Sequence, residues 1–267
     1  MVFATSRSNR LRVPIFWRTR ACRFTMMSLA HIHVTKTVMN SENSLLIYGS
    51  FFPDFFYSTG FQEARRIHEA PIAFKEFIAA KHPELMQLTI GVCSHCEDSK
   101  GLDFYSHTQY KNHSEGYSNI HNNKLSDFIK TTLGTLEPGL YHVIYHSSRE
   151  FAIDLLLKDQ ALVALLAESI KKLPVDTVSA AVAEYLNLDV QYVKEKITQF
   201  NKIFLEKPYD MSLMVFVTND SCERFFNKIL DEEKLYAVFN KAIDIVQEDY
   251  EEFLDYTIEK ISQEFKA

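Results

Sequence analysis

The chain has 267 residues, of which 46% are hydrophobic and 24% charged, the proportions of an ordinary globular protein. Seven glycines and seven prolines are too few for a turn-rich all-β fold, and no apolar run is long enough to cross a membrane as a helix. The net charge of −6 is uneven: residues 1–30 hold six arginines and no acid, which leaves −12 on residues 31–267, a poor match for the phosphates of a nucleic acid.

The basic extension, residues 1–27, reads in three ways. It has part of the composition of a mitochondrial transit peptide, it could be a disordered basic arm, or it could precede a working start at Met26-Met27. The last reading is favoured, and with it a cytoplasmic location; the transit reading would place the protein in mitochondria. No apolar stretch follows the arginines as a secretory signal requires. Four cysteines in a chain this long are no disulfide framework. Cys93 and Cys96 form a lone CxxC that reads as small buried helix residues rather than as metal ligands.

From Ser28 a helix is expected to about Met39, with His31, Val34, Thr35 and Val38 on one face. After a loop at 40–44 comes Leu45-Leu-Ile-Tyr48, too short to type by periodicity. Then follows Gly49-Ser-Phe-Phe-Pro-Asp54, where Pro53 should hold Phe52 extended and break any helix. An aspartate after such a turn ordinarily caps a helix, but the histidines around Asp54 point to a ligand. Phe51, Phe52, Phe55 and Phe56 could line an apolar entrance or belong to the core.

Residues 62–69 read as helical, with His68 at the junction to a second helix that Pro71 opens and that runs to about Lys81. Pro83 opens another, from Glu84 to about Glu97. There His95 and Asp98 stand three apart, on one side of the helix. If Leu102 to Tyr110 is helical too, Asp103 and His107 repeat the arrangement at a spacing of four. Residues 111–125 read as a polar loop over the site, with His113 and His121 as spare imidazoles. Ser126 is expected to cap a short helix to Thr132.

The second half is expected to be a helical scaffold without concentrated chemistry. Its helices should run 148–173, 176–186, from Asp189 to before Pro208, 212–230 and 232–265. Residues 179–204 have a superficial helix-turn-helix pattern, which the acidic charge argues against as a DNA reader. The fold class is therefore all-α, a multi-helix bundle. A metal-binding region at 28–135 is followed by a helical region at 136–267 packed on it.

The ordered pieces His31-Ile-His-Val-Thr-Lys-Thr-Val38, Gly49-Ser-Phe-Phe-Pro-Asp54, His68 and Gly91-Val-Cys-Ser-His95 with Asp98 resemble the zinc-dependent phospholipase C-like family, over roughly 28–110. The family aspartate usually falls four residues after the histidine. Here position 99 is serine, Asp98 comes at three, and the later family histidine is approximated by His107. The resemblance implies a helical fold binding one to three zinc ions, with His31, Asp54, His68, His95 and Asp98 as ligands. Asp54 would bridge ions or orient the attacking water. His107 and Asp103 would be further ligands or partners that fix an imidazole. The implied activity is metal-assisted hydrolysis of a small-molecule or lipid phosphodiester. The alternative is a non-catalytic helical protein with a structural metal, acting as an interaction module. A phosphohydrolase of the HD type is disfavoured, because the chain has no adjacent His-Asp pair.

Overall fold

The computed structural model describes residues 28–54, 59–120 and 122–265. The basic extension at 1–27, Phe55, Phe56 and His121 lie outside the described residues. Among those described the fold is all-α, with fifteen α-helices and no strand. The first-half helices are α1 (Ser28–Met39), α2 (Ser44–Phe51), α3 (Arg65–Glu69), α4 (Pro71–Lys81), α5 (Met86–His95), α6 (Leu102–His107), α7 (Tyr117–Ile120) and α8 (Asn122–Leu133). They are followed by α9 (Pro138–Leu157), α10 (Gln160–Lys171), α11 (Val175–Leu186), α12 (Val190–Glu206), α13 (Met211–Phe226), α14 (Glu232–Val246) and α15 (Tyr250–Glu264). No described helix is long and apolar enough to cross a membrane.

Local chemistry starts and stops these helices. Asn43 caps α2 by accepting from the backbone N–H of Leu45 and Leu46, at 3.0 and 3.2 Å. Asp159, Asp189, Asp210 and Asp231 do the same for α10, α12, α13 and α14. Pro71 and Pro138 occupy the first turns of α4 and α9, where the missing N–H costs nothing. Asn187 and Asn227, both left-handed, terminate α11 and α13.

Several boundaries differ from the sequence reading. The run at 45–48 is the body of α2. Phe52 is helical (φ −59°, ψ −37°) rather than extended, because α2 tightens into a 3-10 turn over Phe52–Asp54 and Pro53 fits the opening of that turn. Phe51 and Phe52 are both core: Phe51 packs on Phe200 and Phe204, and Phe52 on Tyr48. The stretch 111–125 contains α7, and α8 begins before Ser126. Ser148 lies inside α9, and 148–173 is two helices divided at Asp159. Likewise 232–265 is divided at Asp249.

Helix α1 packs against α2, α5, α9, α10 and α15. Enclosed this way, it buries polar residues as well as apolar ones: Leu29, Ala30, Ile32 and Val34 are buried, and so are His31 and Thr35. One continuous apolar core runs from Leu29 to Ile261 and draws on both halves of the chain.

The most intimate packing is between α2 and α5, which cross at two glycines. A Cβ on Gly91 would stand 2.2 Å from the carbonyl oxygen of Leu46, and one on Gly49 would stand 2.0 Å from that of Leu88. Both obstacles are backbone and cannot rotate away. Replacing Gly91 by alanine is expected to force the helices apart and destabilise the protein by about 1–3 kcal/mol or more, read as a lower urea midpoint. A midpoint equal to that of the unaltered protein would show that the crossing tolerates a methyl group.

Candidate metal centre

The close crossing of α2 and α5 sets the first part of the site. It brings the carbonyl of Ser50, near the end of α2, to 2.7 Å from Nδ1 of His95, at the end of α5. A carbonyl only accepts, so Nδ1 carries the hydrogen and Nε2 points inward with its lone pair available when the ring is neutral. Just past α2, the 3-10 turn places the Asp54 carboxylate 3.4 Å from that same Nε2.

The chain then reverses. Cys96 is extended (φ −73°, ψ 150°), residues 97–99 form a 3-10 turn, and Lys100 is left-handed (φ 53°) before α6 begins. Ser99 holds the reversal, donating from its hydroxyl to the carbonyls of Cys93 at 2.6 Å and Cys96 at 3.1 Å. This swings Asp103 back to face His95, at 3.4 Å from Nε2. Asp98 stays outside on the turn, exposed. Because α5 stops at His95, the three-residue helical spacing between His95 and Asp98 does not exist, and Asp103 occupies the place the sequence reading gave to Asp98.

His31, on α1, stacks on His95 with ring centroids 3.8 Å apart and planes 15° from parallel. Its Nε2 lies 3.5 Å from Asp103. One turn along α1, the Thr35 hydroxyl meets that of Ser94 at 2.5 Å and pins the two helices beneath the stack. His68, on α3, completes the group with a 2.9 Å hydrogen bond to Asp103. His31, Asp54, His95 and Asp103 are fully or almost fully buried, while the His68 side chain is 14% exposed and is the group's outlet to solvent.

The separations carry chemical information. Two donors held tetrahedrally by one ion at about 2.0–2.1 Å stand about 3.3–3.4 Å apart. The distances from His95 to Asp54, His95 to Asp103 and His31 to Asp103 are 3.4, 3.4 and 3.5 Å. They are too long for good hydrogen bonds and match the edges of such a tetrahedron. Both ring nitrogens of His31, Nε2 of His95 and Oδ1 of Asp103 are buried without a hydrogen-bond partner among the described residues. Ligating atoms of His31, Asp54 and His95 lie within 4.8 Å of one another, as do those of His68, His95 and Asp103, so either trio could hold an ion.

A further trio, His107, His146 and Glu150, meets the same condition. His107 ends α6, and its Nε2 is 2.7 Å from Glu150. His146 and Glu150 come from α9, in the half expected to carry no chemistry. The missed signal is a run of four-residue steps, His142, His146, Glu150 and Asp154, which a helix from 138 places along one side. Starting that helix at Ser148 cut the run in two. Asp154 is no ligand. Its carboxylate accepts from the backbone N–H of Leu29 at 3.1 Å and Ala30 at 2.8 Å and from the hydroxyl of Tyr209, anchoring the first turn of α1 ahead of His31.

Asp103 and His107, four apart on α6, thus serve different trios. His113 is exposed on its loop. Cys93 and Cys96 are buried and belong to no ligating trio. Burial, reinforced by the charge of Asp103, pushes the Cys96 thiol well up, so it stays protonated.

Protons stand in where cations would sit. Burial pulls the His95 imidazolium down, but the carboxylates of Asp103 and Asp54 outweigh it and leave the group well above its ordinary 6.5. Burial lowers His31, and the neighbouring His95 charge lowers it further. Burial likewise raises Asp103, yet the His95 charge, the nearby His31 ring and the hydrogen bond from His68 hold it well below the carboxylate range. Burial and the charges of Asp103, Asp54 and Asp154 drive Glu150 well up.

No protein-family model, curated protein or solved structure matches the chain.

A pH dependence follows. In metal-free protein the raised His95 contributes stability that is fully present below 6.5 and is lost as pH rises through its folded value. A divalent cation on Nε2 must displace that proton. The cation should therefore raise the melting temperature least at the acid end, and progressively more as pH rises from 6.5 towards the folded value of His95. A cation-induced shift that is flat across this range would exclude His95 as a ligand.

Proposed function

We propose that the protein is a metal-dependent hydrolase of phosphodiester bonds, phospholipase C-like, working with one to three zinc ions. The observation that carries the reading is the convergence of eight buried or part-buried His, Asp and Glu side chains from both halves of the chain, at separations suited to coordination. The order of His31, the Gly49–Asp54 element, His68 and the Gly91–His95 helix, similar to the phospholipase C-like family, agrees with it. The donors are imidazole nitrogens and carboxylate oxygens without thiolate, a set that suits zinc among the common divalent ions.

In this reading His31, His95, Asp54, Asp103 and His68 hold one part of the centre, and His107, His146 and Glu150 the other. Bound zinc would lower the pKa of water towards about 7 and stabilise charge on phosphoryl oxygens. The protein's own work is to orient and to exclude water. Ser50 fixes the tautomer of His95, and Asp103 joins three imidazoles through one carboxylate. Asp54 stands beside His95, where it can bridge ions or accept a proton from water. Substrate would approach from the side of His68, the most exposed member of the first group.

The second reading is a non-catalytic helical protein with a structural metal, favoured by how completely most of these ligands are buried. Elemental analysis of purified protein, followed by hydrolysis of bis(p-nitrophenyl) phosphate, separates the two. Stoichiometric zinc with turnover is expected, and Asp103→Asn should lower turnover at least about 100-fold. Asp98→Asn should leave both metal content and turnover unchanged. Zinc without turnover would select the structural reading, and no bound metal would overturn both.

A further inference from the structure

The trio His107, His146 and Glu150 is closed off from solvent, and its members are 5%, 4% and 0% exposed. An ion bound there has to shed its water before it reaches them, which is slow unless ligands replace the water in stages. Helix α9 presents such a stage. His142 lies one turn before His146, and the two rings are 4.1 Å apart at a 60° tilt. Two histidines four residues apart on one face of a helix have the spacing at which one cation can be held by both.

The helix also grades from outside to inside. Glu137, Pro138 and Gly139 at its start are exposed, His142 is partly buried, His146 is buried and Glu150 fully so. Imidazole, imidazole and carboxylate therefore follow one another inward at four-residue steps along a single rigid element. Neither His142 nor its spacing belongs to the resemblance at 28–110, and His142 is outside the ligating trio.

We propose that His142, paired with His146, forms an outer divalent-cation site through which metal enters the buried His107–His146–Glu150 centre. The ion is first held by the two imidazoles and then passes inward as Glu150 and His107 take up its free positions, while His146 stays bound throughout. This rests on the metal reading above.

The test is the rate of zinc uptake by full-length metal-free protein, followed as transfer of zinc from a chromophoric chelator, with Glu150→Gln identifying the phase that belongs to this centre. His142→Gln is expected to slow that phase several-fold, and His142→Cys, which returns a zinc-binding donor to the same position, to recover it. His113→Gln, which removes an exposed loop histidine, is the control and should leave the rate unaltered. Circular dichroism of each variant establishes that it is folded. If unaltered protein takes up zinc in a Glu150-dependent phase and His142→Gln matches its rate, the entry role is overturned and the metal reading stands. If unaltered protein takes up zinc without such a phase, this centre and its entry route are overturned, and if it takes up no zinc the metal reading falls as well.

Discussion

Everything around the candidate centre answers to one constraint, the burial of negative charge. Asp54, Asp103 and Glu150 are enclosed within the same region, and burial, reinforced by the charges of Asp103 and Asp54, drives the Glu150 proton affinity up. Isolated carboxylates in such surroundings cost far more than ordinary folding stability can offset. Arg149, the fully buried cation nearby in sequence, is occupied elsewhere, donating to the Tyr145 hydroxyl and to the Tyr117 carbonyl at 2.8 Å. The charge must be met by protons on His95 and Glu150 or by cations among the imidazoles. The histidines serve both states, since a neutral ring ligates and a protonated one compensates.

Meeting that constraint demands accuracy in the backbone. An imidazole is fixed as an inward-facing ligand when its other nitrogen is committed, and for His95 the commitment is the Ser50 carbonyl. That carbonyl is within reach only because α2 and α5 approach at Gly49 and Gly91, closer than any side chain would permit. Two residues with no functional groups therefore determine the orientation of a residue whose functional group matters most. The chemistry of the centre is specified partly by what is missing at its supports.

The first half of this arrangement was legible in the sequence to the extent that the residues lie on regular helices. Helix α4 from Pro71 to Lys81 is marked by its proline, and α12 by Asp189, because caps act through neighbours a few positions away. Reading 91–107 as two His/Asp pairs at helical spacing failed within the first pair, since α5 ends at His95, before Asp98. The end of α5 at Cys96 depends on the reversal held by Ser99 and on the tertiary draw of Asp103 towards three histidines, and neither has a periodic signature. The contribution of α9 was hidden for another reason. Tyr141, Tyr145 and Phe151 make its pattern read as ordinary core, and the polar run from His142 to Asp154 becomes visible only once the helix is started at Pro138.

That polar run also says why the chain cannot be divided into a chemical half and a supporting half. Helix α9 supplies His146 and Glu150 as candidate ligands, and one turn later Asp154 grips the first turn of α1, which carries His31. The depth at which His31 sits is thus set by the same helix that closes the opposite side of the centre. Ions held between α1, α5, α6 and α9 would tie together elements more than a hundred residues apart in sequence, and their binding energy would become folding energy for both halves. A metal centre placed this way would be a tertiary contact as well as a site of chemistry, in keeping with candidate ligands that come from many helices rather than from one loop.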